Sequence, residues 1–298
     1  MLGNRQLSKK QTAILMSIPA LTLLTVFLIV PFAMSFILSF TNQRLISNPN
    51  THVEFIGLSN YLRLFKSEAF YSALLNNFKF TIIVVPIQVG LALLLAVLVN
   101  QKLKFINIFR TIYFSPIVIT MIVVAIVWSL LFNPANGFIN QLLSFISFGL
   151  IEPIEWLYDT KHALNAIIIL SIWQGVGFQM IIVLAGLQGI SQEVYEACAI
   201  DGTNVFQKFF FITIPMIKNT LVFCLLSTTI LAFKLFTQVW VLTQGGPENS
   251  TMTMVALIYK EGFSQLRVGY ASTISVVFFF IVLAISLIQR RIIDKEGN

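Results

Sequence analysis

The sequence predicts an all-α membrane protein with six transmembrane helices and both termini in the cytoplasm. Three observations carry that expectation. Hydrophobic residues make up 57% of the 298 positions and charged residues only 10%, whereas soluble chains carry roughly 25% charged residues. Six apolar runs reach the length of about 20 residues that a helix needs to cross ~30 Å of hydrocarbon. The period-2 alternation of a membrane barrel is absent, and lipid forces backbone groups to be satisfied within each segment, so the runs read as helices.

The runs fall at 13–40, 78–100, 108–132, 164–187, 219–242 and 270–289. The first is too long for the apolar core of a secretion signal and lacks an obvious small-residue cleavage site, so it reads as a retained span. Pro19, Pro31, Pro86 and Pro116 lie inside or at the edges of these runs. They fit either hinges or plain kinks, which neighbouring helices tolerate in membranes. The loop over 41–73 is long enough for a small surface helix, with "NYLRLF" as its amphipathic core. No repeat or low-complexity segment interrupts the chain, which reads as one transmembrane domain over 1–298.

Charge placement orients the spans. Arg5, Lys9 and Lys10 precede the first run; Lys102, Lys104 and Arg110 sit between the second and third; Arg290, Arg291 and Lys295 follow the sixth. With six spans these basic groups share one side, which the positive-inside rule makes the cytoplasm. The opposite loops mix signs, as in Glu54, Arg63, Lys66 and Glu68, or Glu152, Glu155 and Asp159. The net charge of +7 is therefore a topology signal and does not point to nucleic acid. Cys198 and Cys224, like His52 and His162, have no partner at metal-ligand or redox spacing. No metal site is expected.

One stretch on the cytoplasmic side is out of character: "EACAIDGTNVFQKFFFITIP", residues 196–215. Ser191 suits the N-cap of a helix over Gln192–Ile200, with Glu193 at its positive end. Gly202 would end that helix in a left-handed cap. A second short helix over 204–211 leads to Pro215, which fits the first turn of the next span. Small residues on the first helix would let a partner approach, and Phe206, Phe209, Phe210 and Phe211 would anchor the hairpin to the protein's own spans. Glu196 offers a charge that an arginine could hold. On these residues alone, a docking element and a polar loop with an incidental surface helix fit equally well.

The same stretch resembles the EAA loop of permease subunits in binding-protein-dependent ABC importers. That loop reads Glu-Ala-Ala, three residues, Gly, nine residues, Ile, one residue, Leu-Pro. Glu196, Ala197, Gly202, Ile212 and Pro215 match it in spacing, with Cys198 for the third small residue and Ile214 for the leucine. "GLSNYLRLF" (57–65), "FNPANGFIN" (132–140), "LTQGGPENSTMT" (242–253) and "IYKEGF" (258–263) are similar to the sugar-permease branch of that family, so the likeness covers nearly the whole chain.

The resemblance implies a type I ABC importer permease fold in a bacterial cytoplasmic membrane. It implies a second, homologous permease subunit, two ATPase subunits and an extracellular solute-binding protein as partners. The hairpin over 191–215 would dock in a cleft on the ATPase through Glu196, Ala197, Cys198, Asp201, Gly202, Ile212 and Pro215. ATP and its Mg²⁺ would sit on that partner, and this chain is expected to bind no cofactor. Its sequence has no G-x-x-x-x-G-K-[ST] phosphate loop, and no Gly-Lys pair occurs in it.

A carbohydrate path should run among polar residues within the spans, since such groups are costly in lipid. The fourth span offers Trp173, Gln174, Gly175 and Gln179; the fifth offers Thr228, Thr229, Lys234 and Gln238. Glycine would let a sugar approach the backbone, and tryptophan would stack on a sugar face. Gly175 and Thr228 match sugar-contact positions of maltose-type relatives in residue type, whereas Ile172, Ala232 and Leu235 replace polar groups there. Each polar residue has an alternative role in helix–helix hydrogen bonding. Lys234 fits attraction of an anionic substrate, a pair with an acid of the partner permease, or snorkelling. The "TQGGPENSTMT" loop is a candidate contact for the binding protein, or a plain surface turn. The rival function is an ion-gradient-driven secondary transporter or channel, which would place acids within its spans. None of the six runs has an Asp or Glu in its apolar core.

Overall fold

A computed structural model describes residues 9–46, 52–101 and 104–295, excluding the side chains of 9–13 and 292–295. Arg5, Lys9, Lys10, Lys102 and Lys295, which helped to orient the chain, lie wholly or by their side chains outside that description. Fifteen helices are described: α1 Lys9–Leu24, α2 Val30–Leu38, α3 Ser59–Leu64, α4 Glu68–Val99, α5 Ile106–Val118, α6 Met121–Leu131, α7 Phe138–Ile146, α8 Ala163–Gln188, α9 Gln192–Ile200, α10 Val205–Gln207, α11 Ile214–Met216, α12 Lys218–Phe233, α13 Thr237–Leu242, α14 Met254–Tyr259 and α15 Val268–Lys295. The only β pairing among the described residues is an isolated bridge between Thr41 and Phe55.

Among the described residues, five segments are long and apolar enough to cross a membrane: Ile14–Leu38, Glu68–Val99, Ala163–Gln188, Lys218–Leu242 and Val268–Arg291. The sixth is the pair Ile106–Val118 and Met121–Leu131, bent by 99°. With that bent pair counted as one span, each of the six expected runs is matched by helix, with three corrections. The second begins ten residues before its expected start, because Ser67 caps it by accepting from the Phe70 N–H, and Glu68 suits its positive end. The third is not straight. Pro116 has no N–H to donate to the Ile112 carbonyl, which the Ser115 hydroxyl takes instead at 3.0 Å. The chain then turns extended at Ile119 and Thr120. The fifth breaks over Lys234, Leu235 and Phe236 before α13 resumes.

The helices belong to two compact units. The first takes the described residues up to Lys66 together with Ile258–Phe279. In it the buried Asn60 of α3 donates to the carbonyls of Ser39 and Thr41, and Thr273 of α15 donates to Ser39. The surface helix expected around "NYLRLF" is α3.

The second unit takes Ser67–Leu257 and the chain from Phe280 on. Its core is the pairing of α4 with α8. Val89, Ala92, Ala96 and Val99 recur at helical spacing on α4 and meet Val176, Met180, Val183 and Leu187 of α8, with Ile217 and Cys224 beside them. Small residues let these helices approach closely. Gly177 of α8 is the extreme case: a Cβ there would collide with the Tyr113 carbonyl of α5.

Polar groups close the backbone where the fifth span breaks. The fully buried Asn77 of α4 donates to the Phe233 carbonyl at 3.3 Å and accepts from the Met254 N–H at 2.7 Å. Thr253 donates to the Leu235 carbonyl at 2.8 Å. Replacing Asn77 by leucine leaves two buried backbone groups unpaired, at about 1–3 kcal/mol each. We expect Asn77→Leu to destabilise the purified chain by about 2–4 kcal/mol, read as a lowered thermal unfolding midpoint in detergent. An unchanged midpoint would mean that Asn77 does not hold the break.

Candidate functional site

Two places in the second unit gather the residues singled out above. The first is a cavity of about 330 Å³ walled by α4, the α5–α6 elbow, α8 and the broken fifth span. Of the expected path residues, Gln174, Gly175, Gln179, Thr228, Lys234 and Gln238 line it, joined by Ser171 and Thr237. Gln179 is buried and donates to the Thr228 hydroxyl at 3.0 Å. Its carbonyl oxygen is buried without a hydrogen-bond partner. Gln238 donates to the Ser171 hydroxyl at 3.4 Å, and that hydroxyl donates in turn to the Ile167 carbonyl. Lys234 is exposed at the break, and no acidic residue lines the cavity with it.

Two expected path residues lie elsewhere. The Trp173 ring packs against Trp128, with ring centroids 5.4 Å apart, and is absent from the cavity wall. Thr229 accepts from Gln289 at 3.3 Å and donates to the Leu225 carbonyl, which makes it a helix–helix contact. Gly175 lines the cavity beneath a neighbouring side chain. The amide of Gln88 sits over it, so that a Cβ at Gly175 would lie 2.5 Å from the Gln88 amide nitrogen. Glycine here leaves room for that side chain. Gln88 itself, 5% exposed and on the cavity wall, was missed. Its signal was an uncharged polar residue in the middle of the apolar run "VVPIQVGLALL".

The second place is the hairpin between α8 and α12. Its first helix is α9, at the bounds expected. Ser191 takes the N-cap position in extended conformation but makes no side-chain capping bond. Gly202 ends the helix at φ +69°, where an L side chain is strained. Thr203 then ties the turn back to the Cys198 carbonyl through its N–H at 3.1 Å and its hydroxyl at 2.8 Å. Asn204 and Gln207 form a reciprocal capping box that starts α10.

The rest of the hairpin differs from the expectation. The second helix does not stop at 211: a π-helical turn over Lys208–Thr213 carries it into α11. Pro215 therefore lies in α11, and the span starts only at Lys218. The phenylalanines do not anchor the hairpin as a set. Phe206, Phe210 and Phe211 are mostly uncovered, and only Phe209 is half-buried. The chain's own anchor is polar and lies elsewhere: Tyr195 bonds the Thr213 hydroxyl at 3.3 Å, and the Lys208 ammonium lies over the Tyr195 ring.

What the hairpin turns outward is mixed. Glu196, Ala197, Asp201, Gly202 and Pro215 are exposed, Ile212 is half-buried and Cys198 is buried. Gln192 donates to one Glu196 carboxylate oxygen at 2.8 Å, which fixes the carboxylate one turn along the helix. Ile200, one turn further along α9, and Val205 of α10 are also uncovered. Exposed apolar side chains on the same hairpin as a held carboxylate suit a protein partner.

Comparison with known proteins agrees with this architecture. Residues 88–296 match the family model described as "binding-protein-dependent transport system inner membrane component". The chain is 36% identical to the probable ABC transporter permease protein YurN of Bacillus subtilis, covering 92% of this chain and 93% of that one. It is 36% identical to the lactose transport system permease protein LacF of Rhizobium radiobacter (91% and 90%), and 32% identical to the trehalose/maltose transport system permease protein MalF of Thermococcus litoralis (93% and 92%). Among solved structures, it superposes on a chain of a bacterial ABC transporter involved in import of the acidic polysaccharide alginate. That match has a TM-score of 0.82 at 22% identity and covers 95% of each chain.

Proposed function

The chain belongs to the family of binding-protein-dependent transport system inner membrane components, and from that premise we propose how its two sites divide the work. It is a multi-pass membrane protein and a permease subunit of an ABC importer, a translocation subunit rather than an enzyme. The cargo we assign is a carbohydrate, as for the sugar permeases it is similar to. A second, homologous permease completes the path, a solute-binding protein delivers the sugar from outside, and ATPase subunits power the cycle from the cytoplasm.

The cavity is the half-path of this chain. A sugar presents hydroxyls that both donate and accept. Facing them are Gln88, Gln174, Gln179 and Gln238 with Ser171 and Thr228, groups that exchange donor for acceptor without a change of charge. The unpartnered Gln179 oxygen supplies an acceptor already stripped of water. The hairpin is the coupling element. When the ATPases close on ATP it moves with them, and the spans exchange inward for outward access as rigid bodies.

The observation that carries this reading is the uncovered hairpin, with Glu196 held outward and exposed apolar residues along it. Gly202→Pro tests it, since proline cannot adopt φ +69°. With all subunits present, this variant should lose sugar uptake and the co-purifying ATPase while the chain still inserts. Uptake that persists without the ATPase would instead favour the secondary transporter. That alternative has no acid in any span core on which to build ion coupling.

A further inference from the structure

In the first unit, a cavity of about 290 Å³ is lined by Arg44, Arg63 and Arg267 together with Asn60, Thr41 and Tyr270. Its walls are fixed by backbone bonds: Leu45 N–H to the Leu266 carbonyl at 2.9 Å, Gly269 N–H to the Gln43 carbonyl at 2.9 Å, and Ile56 N–H to the Phe40 carbonyl at 2.8 Å. Arg267 is paired with Glu261 at 3.3 Å. Among the described residues, neither Arg44 nor Arg63 has a carboxylate within ion-pair distance. The Arg63 guanidinium lies 4.6 Å from the Tyr270 ring centroid. Stacking on that face leaves the edge donors of the guanidinium open to an in-plane acceptor. Three guanidinium groups line this one concavity and only Arg267 has a carboxylate partner, an arrangement that favours an entering anion.

The position of the cavity selects among anions. Thr41 and Arg44 follow Leu38, the end of the first span, by three and six residues; Arg267 immediately precedes Val268, the start of the last. Residues this close to span ends lie at headgroup depth, where tyrosine is also enriched. Several chain neighbours of the lining residues are uncovered and apolar: Leu45 follows Arg44, Leu62 precedes Arg63 and is 64% exposed, and Phe55 precedes Ile56 and is 79% exposed; Ile46 and Leu58 are uncovered too. The helix α3 that carries Arg63 buries Asn60 and Leu64 and leaves Leu58 and Leu62 outward. A cationic cavity whose lining residues have uncovered apolar neighbours along the chain matches a molecule with a phosphate at one end and hydrocarbon at the other.

We infer that this cavity binds the headgroup phosphate of an anionic phospholipid, with Arg44 and Arg63 as the principal donors and Arg267 positioned by Glu261. The lipid joins the outer end of the first span to the start of the last and is a structural ligand distinct from the transported cargo.

The test uses the assembled transporter in nanodiscs of mixed phosphatidylcholine and phosphatidylglycerol, with retained lipid counted by native mass spectrometry. The native protein should retain phosphatidylglycerol in preference to phosphatidylcholine. Arg44→Gln with Arg63→Gln should lower that preference roughly 30-fold, the effect of two basic side chains at an anionic headgroup. Lys66→Gln, a cation of the same unit outside the cavity, should leave it unchanged. Equal retention by native protein and double variant overturns the inference. So does displacement of the lipid by excess inorganic phosphate alone, which would make the site one for a free anion. Unchanged lipid retention with loss of binding-protein-stimulated ATP hydrolysis would also overturn it and make the arginines a protein-docking surface.

Discussion

Reversing the charge at Glu196 should all but abolish uptake while the chain remains folded in the membrane. Glu196 is exposed, and among the described residues its one side-chain partner is the Gln192 amide at 2.8 Å on the same helix. No packing of this chain depends on it, so Glu196→Arg has little reason to unfold anything. In the docking role proposed for the hairpin, the free carboxylate oxygen meets a basic group of the ATPase. A hydrogen bond to a charged group contributes roughly 1.5–3 kcal/mol, and every 1.4 kcal/mol is tenfold in affinity. Glu196→Gln, which keeps the shape and one acceptor, should weaken ATPase association by about 10- to 100-fold. Glu196→Arg should weaken it further, because it sets two cations face to face. ATPase co-purification and sugar uptake should fall together, with the thermal unfolding midpoint unmoved. If Glu196→Arg retains native uptake, the carboxylate is not part of the dock.

A second large effect is expected at Gly177, and there it is structural. The Cβ of an alanine would fall onto the Tyr113 carbonyl and within 3.0 Å of the Phe114 Cα, all backbone of α5. Backbone cannot rotate aside, so α5 and α8 must separate or the site must strain. Gly186, nine residues on, is the natural control: its added Cβ would meet the Thr220 side chain at 2.7 Å, which can change rotamer. Gly177→Ala should therefore destabilise the purified chain by about 2–3 kcal/mol and Gly186→Ala by less than about 1 kcal/mol. Thermal unfolding in detergent distinguishes them. Equal midpoints for the two variants would mean that α5 and α8 are not in tight backbone contact.

The spans were legible because lipid imposes a simple rule, a long apolar run. What that rule averages over was not. The elbow at Ile119 and Thr120 lies between two apolar stretches, and its nearest mark, Pro116, comes three residues early. Ser67 and Glu68 carry a clear capping signal. The polar residues that follow, Asn76, Asn77 and Lys79, hid the helix that starts there, because nothing in the sequence reveals that Asn77 is spent on two distant backbone groups. In the hairpin, Gly202 was readable as local chemistry, whereas the Asn204–Gln207 capping box emerged only from the structure. Which way the phenylalanines face was not readable either, since an aromatic face suits a partner as well as it suits the chain's own spans. Gln179 and Thr228 were legible on the fourth and fifth spans by residue type, and their hydrogen bond joins them in one cavity wall. Trp173 and Thr229 have the same chemistry but lie on other faces of the same helices.

The closed backbone at the fifth-span break has an evolutionary consequence. Asn77 and Thr253 already occupy the carbonyls of Phe233 and Leu235 beside the cavity. In the path proposed for this cavity, a cargo would therefore meet side chain rather than main chain at those two carbonyls. On that reading a lineage could change its diet by point substitution at Gln88, Gln174, Gln179 or Gln238, rewriting the pattern of donors and acceptors while the helices stay where they are.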